Sequence, residues 1–157
     1  MEAYSRLARL PPPNKRPFSV REWINRAMRL EQRVPVKVLD GPDLTLHADA
    51  DQMDQLLINL VRNAADAALG EGGNEQPLVE LQWHLKVDQF VLAVRDNGAG
   101  VGETGNLFVP FFTTKPGGSG IGLALCRQIA EAHEGLLALR NRADKRGAEA
   151  IVQLPLS

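Results

Sequence analysis

The chain has one cysteine, Cys126, among 157 residues. No intrachain disulfide can form, which fits a reducing compartment such as the cytoplasm. Cys126 lies in a helical pattern and reads as a small core residue rather than a nucleophile. Long apolar runs are also missing. The stretch Leu56–Val61 is already broken by Asn59, so no membrane span is expected. Met1–Leu10 lacks the continuous apolar core of a signal peptide. An excess of charge of one sign is missing too: the formal net charge is -1, which gives nucleic acid or an anionic membrane no electrostatic handle. There is no internal repeat. What remains is 44% hydrophobic and 24% charged, an ordinary soluble globule. The length suits one domain that can bury about 70% of its unfolded surface.

Residues 1–10 read as the end of a helix, and Pro11-Pro12-Pro13 forces an extended segment after it. The expected division is therefore a linker and helix remnant over 1–16 and a domain over 17–157. Ser19 and Glu22 have capping-box spacing and predict a helix to about Arg33. Val36–Leu39 and Leu44–His47 read as short strands around a Gly41-Pro42-Asp43 turn. Asp49 and Gln52 predict a second helix start. Met53, Leu56, Leu57, Leu60, Val61, Ala64 and Ala68 follow at helical spacing, and Gly70 ends the run. Val79–Val87 alternates apolar and polar residues as a half-buried strand, and Asp88-Gln89 turns into the apolar strand Phe90–Val94. A helix is expected over Ser119–Glu134, then a hairpin of Leu136–Leu139 with Ala150–Leu154. The sum is a two-layer α/β sandwich: a mixed sheet with three helices on one face.

Three clusters carry chemistry. Asn59 and Asn63 stand one turn apart, on a helical edge beside the apolar stripe. Mg²⁺ takes oxygen ligands, and an amide carbonyl supplies one without adding negative charge beside a triphosphate. Asp96 follows a strand and precedes Gly98 and Gly100. A buried carboxylate there can accept from the exocyclic amine of adenine, and the glycines let backbone approach the base. Gly117, Gly118, Ser119, Gly120, Ile121 and Gly122 open a helix, where free N–H groups and the positive dipole end bind phosphate. Their spacing is neither a Rossmann nor a Walker pattern. Lys115 is the nearest cation for a terminal phosphate.

Together these segments resemble the sensor histidine kinases. LLINLVRNAADAA resembles their N box, DNGAG their first glycine box, LFVPFFTTK their F box and GGSGIGLAL their second glycine box. IAEAHEGLLALRNR is similar to the segment that follows. The resemblance runs from about Phe18 to Leu154. It implies the Bergerat ATP-binding fold shared with gyrase-type topoisomerases. It implies ATP and Mg²⁺ as cofactors, with Asn63 ligating the metal aided by Asn59, and Asp96 reading adenine. It places Asp66, Gly98, Gly100, Phe112, Thr113, Thr114, Lys115, Gly118, Ser119, Gly120, Ile121, Gly122 and Leu123 around the nucleotide. Asn59, Asn63 and Lys115 are the expected catalytic set. Phe111–Gly120 is expected to be a lid, within a segment from about Gly102 to Ser119 that is mobile until phosphates arrive. The short lid and its PFFTTKP sequence are similar to the nitrogen-regulation branch.

The chain departs from the family pattern in four places. The stretch Val101–Leu107 is short and glycine-bearing. Asp66 and Ala67 stand where a basic or aromatic residue is common, which shifts weight to Arg62 and Lys115. Glu134 replaces a glycine common after His133. His47, His84 and His133 all lack the His-Glu context followed by proline that marks the phosphoacceptor. The resemblance therefore implies a catalytic domain whose acceptor histidine lies on a separate dimerisation domain, with a response regulator downstream. The domain itself is expected to be monomeric and cytoplasmic, without membrane or nucleic-acid contact. The alternatives are a gyrase-type ATPase, a Ser/Thr-directed relative, and a catalytically silent nucleotide-binding module. Gyrase-type enzymes place a Glu four positions before the Mg²⁺ Asn. Here that position is Asn59, which cannot take a proton.

Overall fold

A computed structural model describes residues 10–39, 41–70, 75–100 and 120–156. In chain order the elements are β1 (Arg16–Ser19), α1 (Val20–Leu30), β2 (Val36–Val38), β3 (Thr45–Ala48), α2 (Ala50–Leu69), β4 (Val79–Lys86), β5 (Gln89–Asp96), α3 (Gly120–Ala132), β6 (Leu136–Asn141) and β7 (Ala148–Pro155). Five strands form a mixed sheet in the order β2-β4-β5-β7-β6. The β2–β4 pair is parallel and the others are antiparallel. The three helices pack as a second layer. The expected two-layer α/β sandwich is the observed fold.

The helix starts follow from local chemistry. The Ser19 hydroxyl accepts from the Glu22 N–H at 3.3 Å, and the Asp49 carboxylate accepts from the Gln52 N–H at 3.0 Å. Each satisfies a donor that the first turn leaves orphaned. Helix α1 stops at Leu30, short of the expected Arg33. Glu31 is already extended, and its carboxylate accepts from the Arg33 N–H at 2.8 Å. That local bond competes with helix continuation, and Pro35 disfavours helical backbone at the residue before it.

Between the layers lies one apolar core. Val20, Trp23 and Ile24 of α1 meet Met53, Leu56, Leu57 and Leu60 of α2, above Leu81, Phe90 and Leu92 of the sheet. Trp23 packs edge-on against Phe18 at 5.8 Å and tilted against Phe90 at 6.1 Å. Each large apolar side chain buried there contributes about 1.5–3 kcal/mol by leaving water. Cys126 is buried in this core, as its helical spacing implied. On the sheet's outer face the register stacks Arg140, Glu149 and Arg95 side by side. Glu149 bridges both guanidiniums, at 2.7 Å to Arg140 and 2.9 Å to Arg95.

The segments read as strands around the Gly41-Pro42-Asp43 turn are both strands, and they do not pair with each other. β2 joins the main sheet beside β4, whereas β3 pairs antiparallel with β1 in a separate two-stranded sheet. Trp83 packs against the turn that joins them: its indole N–H donates to the Pro42 carbonyl at 2.8 Å, and a Cβ at Gly41 would lie 2.6 Å from its ring. The hairpin turn is Val87-Asp88, one residue earlier than expected.

The extended chain ahead of β1 is tied to α2. Gln52 donates to the Pro11 carbonyl at 2.9 Å, and the Asn14 N–H donates to Asp49 at 2.9 Å. Among the described residues no helix is long and apolar enough to cross a membrane.

Candidate functional site

One edge of α2 gathers the site. Asn59, Asn63 and Ala67 recur every four residues and so lie along one line of the helix. At the Asn59 end stands the first turn of α3: a Cβ on Gly122 would lie 3.8 Å from the Asn59 side-chain oxygen. At the Ala67 end stands the first glycine box: a Cβ on Gly98 would lie 2.2 Å from the Ala67 carbonyl oxygen. Only glycine permits that approach. Asn63 lies between. Three motifs that are distant in sequence thus meet along one helical edge. Asn59 and Asn63 are both half-buried, at the rim of the core as their spacing implied.

Asp96 is the last residue of β5 and is 4% exposed. Its Oδ1 accepts from the Gly98 N–H at 2.8 Å and from the Ala148 N–H at 3.3 Å. Two backbone donors on one oxygen fix the carboxylate's orientation. Gly100 holds φ at 93°, and a Cβ there would lie 2.5 Å from Asn141 Oδ1. The Asn97 side chain accepts from the Leu78 N–H at 3.0 Å and donates to the Gln76 carbonyl at 2.7 Å. It staples the loop ahead of β4 to the same strand end.

Gly120 begins α3, and Gly122 and Leu123 lie half-buried in its first turn. The N-terminus of a helix of 13 residues, placed beside Asn59, is suited to an anionic ligand. The side chain of Ile121, and Phe112, Thr113, Thr114, Lys115, Gly118 and Ser119 with the whole expected lid, lie outside the described residues.

Asp66 is engaged elsewhere: Arg33 Nη1 donates to its Oδ1 at 2.7 Å. Arg33 also grips Glu31 at 3.0 Å. Burial pushes the Glu31 pKa up, but the bonds from Arg33 outweigh it and hold the carboxyl below its ordinary value. Sequence reasoning missed this guanidinium, because nothing in the spacing of residue 33 points to residue 66.

It also missed Arg142, whose side chain is 3% exposed. Its Nη1 donates to the Asp96 carbonyl at 3.2 Å, its Nη2 to Glu80 at 3.0 Å and its Nε to Asp144 at 3.0 Å. Burial alone would lower the Arg142 pKa, but its bonds to Asp144 and Glu80 raise it. Among the described residues no group of three His, Cys, Asp or Glu side chains could cage a metal ion.

Known proteins resemble this chain in sequence and fold. Residues 48–157 match the family described as histidine kinase-, DNA gyrase B- and HSP90-like ATPases. The sensor protein kinase PilS of Pseudomonas aeruginosa is 32% identical over 139 residues, covering 83% of this chain and 26% of PilS. The chain thus spans about a quarter of that relative. The nucleotide-free catalytic domain of histidine kinase ThkA superposes with a TM-score of 0.78 at 29% identity, covering 91% of this chain and 96% of that domain. ThkA in complex with the response regulator protein TrrA superposes with a TM-score of 0.74 at 26% identity, covering 91% of this chain and 42% of ThkA. The chain belongs to the histidine kinase-, DNA gyrase B- and HSP90-like ATPase family, and within it has the fold and motifs of a sensor histidine kinase's ATP-binding catalytic domain.

Proposed function

We propose that the chain binds Mg-ATP along the α2 edge and presents its γ-phosphoryl group to a histidine on a separate dimerisation domain. The observation that carries this reading is the convergence of Asn59, Asn63, the Asp96 strand end and the α3 N-terminus on one helical edge. Asp96 would accept from the exocyclic amine of adenine. Gly98 and Gly100 would let the base approach the backbone. The first turn of α3 would hold the phosphates, with Lys115 as their cation. Asn63, assisted by Asn59, would hold Mg²⁺, whose role when bound is to neutralise phosphate charge. Such transfer rests on positioning and charge neutralisation rather than on covalent chemistry by the protein.

An amide at Asn59 favours phosphotransfer over gyrase-type hydrolysis, because it cannot activate water. The response regulator reported with ThkA supports a regulator as downstream partner. A cytoplasmic site of action, a nitrogen-regulation-like branch and an upstream helical dimerisation segment belong to the same reading.

Calorimetric titration with Mg-ADP tests the site. Asp96→Asn should lose adenine recognition, because an amide presents a donor where the base amine needs an acceptor. Asn63→Asp should lose the metal dependence of affinity. Wild-type binding by both variants would overturn the assignment.

A further inference from the structure

We propose that Arg142 is a positioning residue for base recognition: it holds the backbone of Asp96, so that the β6–β7 turn sets nucleobase selectivity. The inference rests on the reading of Asp96 as the adenine reader.

Asp96 ends β5, where the ladder with β4 stops at the Val79↔Asp96 pair and the ladder with β7 stops at Arg95↔Glu149. Beyond that point regular sheet bonding no longer holds the chain, so the direction of the carboxylate depends on other contacts. Beside the local Gly98 N–H, the β6–β7 turn and the first residue of β7 supply them. Arg142 Nη1 bonds the Asp96 carbonyl at 3.2 Å, and the Ala148 N–H bonds the Asp96 carboxylate at 3.3 Å. Gly147 holds φ at 130°, and a Cβ there would lie 1.9 Å from the Asp96 carbonyl oxygen. Asn141 lies against Gly100 on the far side of the glycine box. One turn therefore meets the Asp96–Gly100 segment at both ends.

Arg142 is itself held in place. Its backbone N–H donates to the Gly147 carbonyl at 2.9 Å and closes the turn. Glu80, 8% exposed, accepts from its Nη2, and Asp144 accepts from its Nε and Nη2. A guanidinium has donors in a planar fork, so one side chain can span β4, the turn and the end of β5 at once. An ammonium cannot reproduce that span. No local pattern demands so costly a burial of charge. The contact that connects it to the nucleotide is the one to the Asp96 carbonyl.

The test compares Mg-ADP with Mg-IDP, whose base carries an oxygen in place of the exocyclic amine. Wild type should prefer ADP. Arg142→Lys should narrow that preference by about tenfold or more, as expected when a buried hydrogen bond is misaligned. Removing one buried partner can unfold a protein, so Arg142→Met combined with Glu80→Leu serves as the second variant. It replaces the pair by apolar groups of similar reach and leaves no buried charge unpaired. Amide exchange at Gly98, whose N–H donates to Asp96, reads the same geometry without nucleotide and should quicken in both variants. A folded variant that keeps the wild-type ADP-to-IDP ratio and Gly98 protection would overturn the role of Arg142. No preference for ADP in wild type would instead overturn the reading of Asp96.

Discussion

Two described non-glycine residues hold positive φ: Val87 at 57° and Glu134 at 62°. Glu134 follows α3, and the Gly135 N–H reaches back to the Ala130 carbonyl at 2.8 Å while the Glu134 N–H reaches Glu131 at 3.0 Å. That is the Schellman pattern, whose left-handed position favours glycine. The glycine here stands one residue later, where a Cβ would lie 2.2 Å from the Gln153 carbonyl oxygen. Glu134→Gly should therefore stabilise the chain by about 0.5–1 kcal/mol, the left-handed penalty less the entropy glycine adds to the unfolded state. Thermal melts should show a rise of roughly 2–4 °C per kcal/mol. Gly135→Ala should lower the midpoint. Val87→Gly should raise it, because a β-branched residue is poorly suited to the first position of a two-residue hairpin turn. An unchanged midpoint for Glu134→Gly would mean that the left-handed residue carries no strain.

At the scale of elements, His133 joins the end of α3 to the start of α2. Its Nδ1 donates to the Ile129 carbonyl at 2.8 Å, and its Nε2 accepts from the Asp49 N–H at 3.1 Å. Only the neutral ring makes both bonds. Burial lowers its pKa below the usual 6.5 and Lys15 adds to this, against the Ile129 bond and Asp49. The unfolded chain therefore takes up this proton first. Stability from the neutral ring is present above about pH 6.5 and is lost as pH falls towards the depressed folded pKa. Burial pushes Asp49 up, but backbone bonds from Asn14, Gln52 and Asp51, with His133, hold it below 3.8. Its contribution is present above that value and is lost in more acidic solution. Urea midpoints should fall between pH 7 and pH 5, and His133→Gln should flatten that fall. An equal slope in the variant would remove His133 as its source. The same joint holds α2 and α3 against each other, the two helices that carry Asn59, Asn63 and Gly122.

At the scale of the molecule, none of the three histidines lies on the α2 edge proposed as the site. His133 is 3% exposed with both ring nitrogens engaged. His47 lies on β3 of the small sheet, and His84 is exposed on β4. The chain alone should bind nucleotide yet incorporate no acid-labile phosphate from radiolabelled ATP. A histidine-bearing dimerisation domain added in trans should become labelled. Labelling of any of the three histidines would contradict the placement. Rapid release of free phosphate would instead favour the hydrolytic reading.

What the residues decided by themselves is what depends on near neighbours. Ser19 and Asp49 cap helices because a side-chain oxygen reaches an N–H three residues on. The apolar period from Met53 to Ala68 made α2 a buried helix, and that period alone put Asn59 and Asn63 on one edge. The alternation in β4 and the glycines after Asp96 are equally local. Tertiary structure decided the pairings between distant residues. β2 and β3 are close in sequence yet join different sheets, because strand partners are chosen by what can be buried and not by turn signals. Arg33 found Asp66, and Arg142 found the Asp96 carbonyl 46 residues away. A guanidinium on a loop carries no periodic mark of its partner. For Arg142, 3% exposed, the partner is set only when folding closes the chain around it and water no longer competes for its donors.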